Sequence, residues 1–200
     1  MANNEITSSN GVYRWILSHQ WDSTLPTVCW CMLNPSTKTG KKDDPTMRRI
    51  IIFSRSHGYG SFLVINLFSF RCKDPRSLCS ASRESADIDI VGEETNSYIL
   101  HSMAQSAAVV VAWGACVNIT QRRRAKEVLE LINSNRPNNV PLYCLAYCKM
   151  GQPRHPLYVK KETKMVHFNM DDTLQHVKVG NLKQKRSFLE DITKEHDSAQ

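Results

Sequence analysis

Thr27-Val28-Cys29-Trp30-Cys31-Met32-Leu33-Asn34-Pro35-Ser36 is a near-continuous apolar run that stops abruptly at an Asn-Pro pair. A strand with one wet face alternates apolar and polar residues, whereas a strand covered on both faces does not. Residues 27–33 therefore read as an inner strand of a parallel sheet, with a loop starting at Asn34 beyond its carboxyl end. Downstream, Asp44-Pro45-Thr46 supplies a capping acid and a proline at the first helical position. Met47, Ile50, Ile51 and Ser54 then recur at helical spacing to about residue 57, and Gly58 and Gly60 end the segment.

The same alternation continues outward. Residues 61–67 and 107–113 read as buried strands, the latter closed by Gly114, and residues 140–146 as a fourth. Between them, residues 93–105 can form a helix, and residues 120–133 carry Ala125, Val128, Leu129 and Ile132 on one stripe. Strands alternating with helices imply crossover connections and a parallel sheet covered on both faces. The expected architecture is α/β, a single domain over residues 1–200 with a four-stranded parallel core at about 27–158, flanked by helices. Additions are expected at both ends. Residues 12–17 form a strand, either at an edge or in a hairpin with the next segment of chain, 164–168 an added strand, and 182–194 a terminal helix with Phe188, Leu189 and Ile192 inward. The polar stretch 71–92 is long enough to be a functional loop.

At 200 residues the chain can bury a substantial core. Its longest apolar run, 107–113, is far shorter than the roughly 20 residues a spanning helix needs, and its start is unlike a secretory signal. A cytoplasmic monomer without membrane contact is expected. Most of the seven scattered cysteines, an odd number, read as reduced buried hydrophobes. The net charge of +7 favours a polyanionic partner such as DNA, since neutralising phosphates releases counterions. Basic runs at 38–42, 122–126 and 183–186 carry that charge, and each also reads as a solvated face.

In open parallel sheets, ligands bind beyond the carboxyl ends of the strands. Four strands here end in distinctive groups: Asn34-Pro35-Ser36, Asn66, Trp113-Gly114 and His155-Pro156. Each also has an ordinary reading, as a turn former, a strand-end residue, core or loop. Together, in this order, they mark a candidate site.

This ordered set resembles the uracil-DNA glycosylase superfamily. Met32-Leu33-Asn34-Pro35-Ser36 is similar to its first motif, in the asparagine form of the mismatch-specific and single-strand-selective members. Leu63-Val64-Ile65-Asn66, Val110-Val111-Ala112-Trp113-Gly114 and Arg154-His155-Pro156-Leu157 are similar to the later ones. The likeness covers roughly residues 27–158. The wording of Asn-Pro-Ser-Thr, Asp-Asp-Pro-Thr-Met-Arg-Arg and Arg-His-Pro-Leu-Tyr also resembles a family of small bacterial and phage proteins catalogued as domain of unknown function 1643.

The resemblance implies hydrolysis of an N-glycosidic bond, which leaves positive charge on the sugar and negative charge on the departing base. Asn34 would position a water, a neutral His155 would donate to a base carbonyl, and Asn66 would read the base edge. Because Asn34 is no carboxylate, Asp43 or Asp44 would act as base or stabilise the sugar cation, although Asp44 reads first as a helix cap. Pro35, Ser36, Phe68, Trp113 and Arg154 are expected to contact substrate, with Phe68, Phe70, Tyr59 and Trp113 as candidate rings for an extruded base. Lys38, Lys41, Lys42, Arg71 and Arg154 would meet the DNA backbone. No metal or cofactor is expected: some members carry an iron–sulfur cluster, but the chain has no Cys-x2-Cys run.

The uracil-specific members carry a tyrosine soon after the first motif's proline. Here Ser36-Thr37 stands there and leaves room. The expected substrate is accordingly a bulkier, modified pyrimidine in DNA, as in phage genomes, and the expected role is antiphage defence. Three other classes remain open: a non-catalytic nucleic-acid-binding module, a hydrolase of free nucleosides or nucleotides, and a redox or metal protein using the cysteines.

Overall fold

The computed structural model describes residues 4–37, 44–73, 78, 88–148 and 151–170. These contain seven strands and three helices: β1 (Asn4–Thr7), β2 (Arg14–Gln20), β3 (Thr27–Met32), α1 (Pro45–Ser56), β4 (Ser61–Asn66), α2 (Thr95–Ala104), β5 (Ala108–Val111), α3 (Ile119–Asn135), β6 (Leu142–Cys144) and β7 (Val166–His167). A 3-10 turn at Pro156–Tyr158 follows the His155-Pro156 pair.

All seven strands join one mixed sheet in the order β1-β2-β4-β3-β5-β6-β7. Strand β3 pairs in parallel with β4 and β5, and β5 pairs in parallel with β6. The β1–β2, β2–β4 and β6–β7 pairs are antiparallel. The apolar runs behave as their pattern demands. In β3 every residue after Thr27 is buried, and β5 is buried throughout.

The core forms two layers, one on each face of the sheet. On one face Ile50 and Phe53 of α1 pack with Trp30, Phe62 and Val64. The Trp30 indole N–H donates to Ser54 Oγ at 3.0 Å, which ties α1 to the central strand. On the other face Ile99 and Met103 of α2 and Val128, Leu129 and Ile132 of α3 cover Cys29, Cys31, Ile65 and Val109. Asp44 caps α1 as its sequence signal requires, and Asn118 caps α3.

Strand β2 departs from expectation. It lies inside the sheet, between β1 and β4, and its hairpin partner is the preceding strand. The short, polar β1 alternates between exposed and half-buried residues, which gives little periodic signal. Its turn does carry one: Asn10-Gly11, with Gly11 at φ 69° in the left-handed region and its N–H donating to Ser8 O. Strands β5 and β6 are shorter than the apolar runs that contain them.

Cys29, Cys31, Cys116 and Cys144 are buried free thiols. Burial pushes Cys31 and Cys116 up to about 12 and Cys144 to about 11, so they are protonated hydrophobes at neutral pH. No group of three His, Cys, Asp or Glu side chains suited to a metal occurs among the described residues. No described helix is long and apolar enough to cross a membrane. Cys79, the 182–194 segment and most of the 71–92 stretch lie outside the described residues.

Candidate functional site

Because β3, β4, β5 and β6 run parallel, their carboxyl ends, and the segments leaving them, gather at one edge of the sheet. A cleft of about 500 Å³ opens there. Asn34, Ser36, Asn66, Trp113, Gly114 and His155 all line it, joined by Asp44 from the start of α1. Four motifs separated by tens of residues thus meet in one space. A larger groove, about 690 Å³, lies near β6 and β7 and contains none of these residues.

Asn34 follows β3 by two positions. Its side-chain amide nitrogen donates to Pro35 O at 3.1 Å and to Cys72 O at 3.0 Å. Both partners are carbonyl oxygens, so the NH2 group must face them, which fixes the amide orientation. The Asn34 Oδ1 is left as an acceptor without a partner among the described residues. Pro35 itself is buried, and its carbonyl also accepts from Cys72 N–H.

Asn66, the last residue of β4, is 4% exposed, and its side chain makes no hydrogen bond among the described residues. An unpaired amide in a cleft wall offers a donor and an acceptor to whatever occupies the cleft.

His155 accepts from Leu157 N–H through Nδ1 at 3.3 Å, so its proton resides on Nε2. Burial pushes its pKa from the ordinary 6.5 down to about 4, against the opposing pull of Asp44. The ring is therefore a neutral N–H donor across the physiological range. Gly114 makes this placement possible. At φ 84° it occupies the left-handed region, and a Cβ there would come within 3.3 Å of His155 Cβ.

Asp44 has two places at once. Its Oδ1 caps α1 by accepting from Thr46 N–H at 2.8 Å and Met47 N–H at 3.4 Å, and the residue also lines the cleft. Both the structural and the site reading of this residue are thus compatible with the geometry.

The aromatic expectations require correction. Phe68 is fully buried in the core and does not line the cleft, because the chain after β4 turns inward, with Phe68 N–H bonded to Leu33 O. Tyr59 and Phe70 are also absent from the cleft wall. Trp113 lies on the wall, but its ring is 2% exposed and its N–H donates to Gln152 Oε1. The open ring at the mouth belongs to Tyr158, 70% exposed and 5.8 Å from the His155 ring centroid. Its one signal in the sequence is its place in Pro156-Leu157-Tyr158, directly after the histidine.

Of the expected backbone contacts, Arg154 is exposed and stands off the cleft. Arg71 is mostly buried and pairs with Glu5 at 3.7 Å. Lys38, Lys41, Lys42 and Asp43 lie outside the described residues. Arg14, at the start of β2, lines the cleft and was not anticipated. Nothing in its local sequence marks it, since only the antiparallel β2–β4 pairing carries it to this edge.

These features define an α/β protein with a polar cleft across the carboxyl ends of its parallel strands. The chain belongs to the family of proteins of unknown function DUF1643, whose model matches residues 14–157. No curated protein and no solved structure gives a significant match to the chain.

Proposed function

We propose that this protein is a DNA glycosylase that hydrolyses the N-glycosidic bond of a modified pyrimidine and leaves an abasic site. The observation that carries this reading is Asn66, a residue 4% exposed whose side-chain amide has no hydrogen-bond partner among the described residues, lining the same cleft as Asn34 and the neutral His155 donor. Four parallel strands, each leading to one of four motifs in order, support the likeness to the uracil-DNA glycosylase superfamily.

The chemistry follows from the groups available. The base leaves with the electrons of the C1′–N bond, and His155 Nε2–H donates to the base carbonyl on which that charge collects. Water adds to C1′, held by the Asn34 Oδ1, and loses a proton to solvent or to Asp44. The Asp44 carboxylate also opposes the positive charge on the sugar. Asn66 pairs with the base edge, and Tyr158 offers a ring on which an extruded base can stack. With Ser36 in the cleft wall, where a bulky gate would exclude substituents, a 5-substituted pyrimidine fits better than a bare one. Such bases occur in phage DNA, which suits an antiphage role.

The direct test is incubation with uracil-containing DNA and with phage genomic DNA containing cytosine, hydroxymethylcytosine or glucosylated hydroxymethylcytosine, followed by abasic-site detection and mass spectrometry of released bases. Release of one modified base, lost in Asn34→Ala and His155→Ala, is the expected result. Release of plain uracil alone would overturn the substrate assignment.

A second reading rests on Asn34 standing where a carboxylate would be the stronger catalyst: a module that binds DNA without turnover. In that case both substitutions leave DNA binding intact and no DNA loses a base.

A further inference from the structure

Among the described residues two arginines are almost fully buried, and they differ in how their donors are met. Arg124 of α3, 6% exposed, has a partner for every nitrogen: Nε donates to Leu67 O at 2.8 Å, Nη1 to Glu127 at 3.4 Å and Nη2 to Asn96 at 2.6 Å. It is a satisfied structural bolt between helices and sheet. Arg14, 5% exposed, has one side-chain partner, Glu5 Oε1 at 3.0 Å from Nη1. Its Nε is buried without a partner, and its Nη2 has none among the described residues. A guanidinium presents five N–H donors, and leaving them unmet in a low-dielectric site is costly.

The charge around Arg14 is also unbalanced. The one carboxylate it holds is shared, because Arg71 reaches Glu5 Oε2 at 3.7 Å. Two guanidinium groups on a single carboxylate leave a net positive charge, and Lys73 adds another cation to the cleft wall. Asp44 is the cleft's own acid, and α1 already engages one of its oxygens. Strand β2 runs antiparallel to β4, so its first residue sits at the carboxyl end of β4, beside Asn66, on the opposite side of the parallel strands from His155.

We infer that Arg14 forms an anion subsite in the cleft that holds the phosphate of the bound nucleotide, with Glu5 keeping the guanidinium in place. The inference rests on the proposed base-handling role of the cleft and adds to it the second half of the ligand. Asn66 and His155 take the base, and Arg14 takes the phosphate through the part of its guanidinium that lines the cleft, in the charge-assisted contact for which arginine is suited. The phosphate is either a phosphodiester of DNA or the terminal group of a free nucleotide, and both present the same oxygens.

The test compares the full chain with Arg14→Gln, Arg14→Lys and Glu5→Gln variants by calorimetric titration. The probes are inorganic phosphate, deoxycytidine, deoxycytidine 5′-monophosphate and a short single-stranded oligodeoxynucleotide. Phosphate-bearing probes should bind Arg14→Gln about ten- to hundredfold more weakly, the range for a lost charge-assisted hydrogen bond, while deoxycytidine is unaffected. Arg14→Lys should retain part of the affinity. Glu5→Gln keeps a carbonyl oxygen that can hold the guanidinium through Nη1 and removes only the competing negative charge, so it should tighten phosphate binding several-fold, which decides the matter if Arg14→Gln does not fold. Preference for the oligonucleotide identifies DNA as the source, and preference for the monophosphate a free nucleotide. Equal binding of phosphate-bearing probes to wild type and Arg14→Gln, or unchanged phosphate binding in Glu5→Gln, overturns the subsite. Arg14-dependent phosphate binding with no base released from any DNA retains the subsite and removes the glycosylase reading.

Discussion

At the scale of single residues, His155 illustrates how burial sets chemistry. Its pKa, pushed to about 4 from 6.5, lies below the ordinary value, so between these limits the unfolded chain binds a proton that the folded protein refuses. Its contribution to stability is complete above pH 6.5 and is lost as pH falls toward 4. Urea unfolding at pH 7, 5.5 and 4.5 should show this decline, and His155→Gln should flatten it. For the same reason the rate of base release should have no acid limb near 6.5, because the donor form persists well below that pH. Asn66 makes the complementary case. Its amide makes no hydrogen bond among the described residues, so Asn66→Ala should leave the thermal midpoint within about a degree or two, in line with the small effects of substitutions that break no internal hydrogen bond. Base release should fall about a hundredfold or more, as for loss of a positioned hydrogen-bonding group. A loss of activity matched by a collapse in stability would instead assign Asn66 a structural role.

Elements place these residues, and two of them can be probed through their ends. Asp44 caps α1, and asparagine caps as well as aspartate while carrying no charge. Asp44→Ala should cost about 1 kcal/mol of stability, whereas Asp44→Asn should cost little. If the carboxylate stabilises the sugar cation, both variants lose turnover. If Asp44 only caps, Asp44→Asn remains fully active, so the pair separates two roles that coexist in one side chain. Beyond β5, Gly114 holds a left-handed conformation that lets residues 153–155 approach. Gly114→Ala should destabilise by about 1–2 kcal/mol from backbone strain alone, measurable by urea titration. It should also displace His155 and depress activity more than that modest loss would suggest.

For the molecule as a whole, the net charge of +7 makes the proposed DNA binding testable through its dependence on salt. The logarithm of the binding constant should fall linearly with the logarithm of salt concentration, with a slope of about −0.7 per phosphate contacted on a single strand. Replacing Lys38, Lys41 and Lys42 with alanine should reduce that slope if this basic run meets the DNA backbone, while Arg154→Ala should do so only if the exposed side chain reaches a phosphate. A slope near zero would remove DNA as the partner and direct attention to free nucleotides.

The amino-acid sequence by itself determined the local elements whose signals are short-range. The unbroken apolar run of β3, the Asp44-Pro45 start of α1, the stripe on α3 and the Asn-Pro and His-Pro endings are all properties of neighbouring residues, and burial or capping acts on them directly. Tertiary structure alone decided which strands lie side by side. It brought β1 and β2 into the sheet side by side; locally only the strand signal of residues 12–17 and the Asn10-Gly11 turn pointed that way. Rings obeyed the same rule: Phe68 and Tyr158 both stand near motif residues in the sequence, but packing put the first inside and left the second open. Arg14 depended most fully on long-range pairing, since an arginine opening a strand becomes a desolvated cation in a cleft only when distant strands close around it.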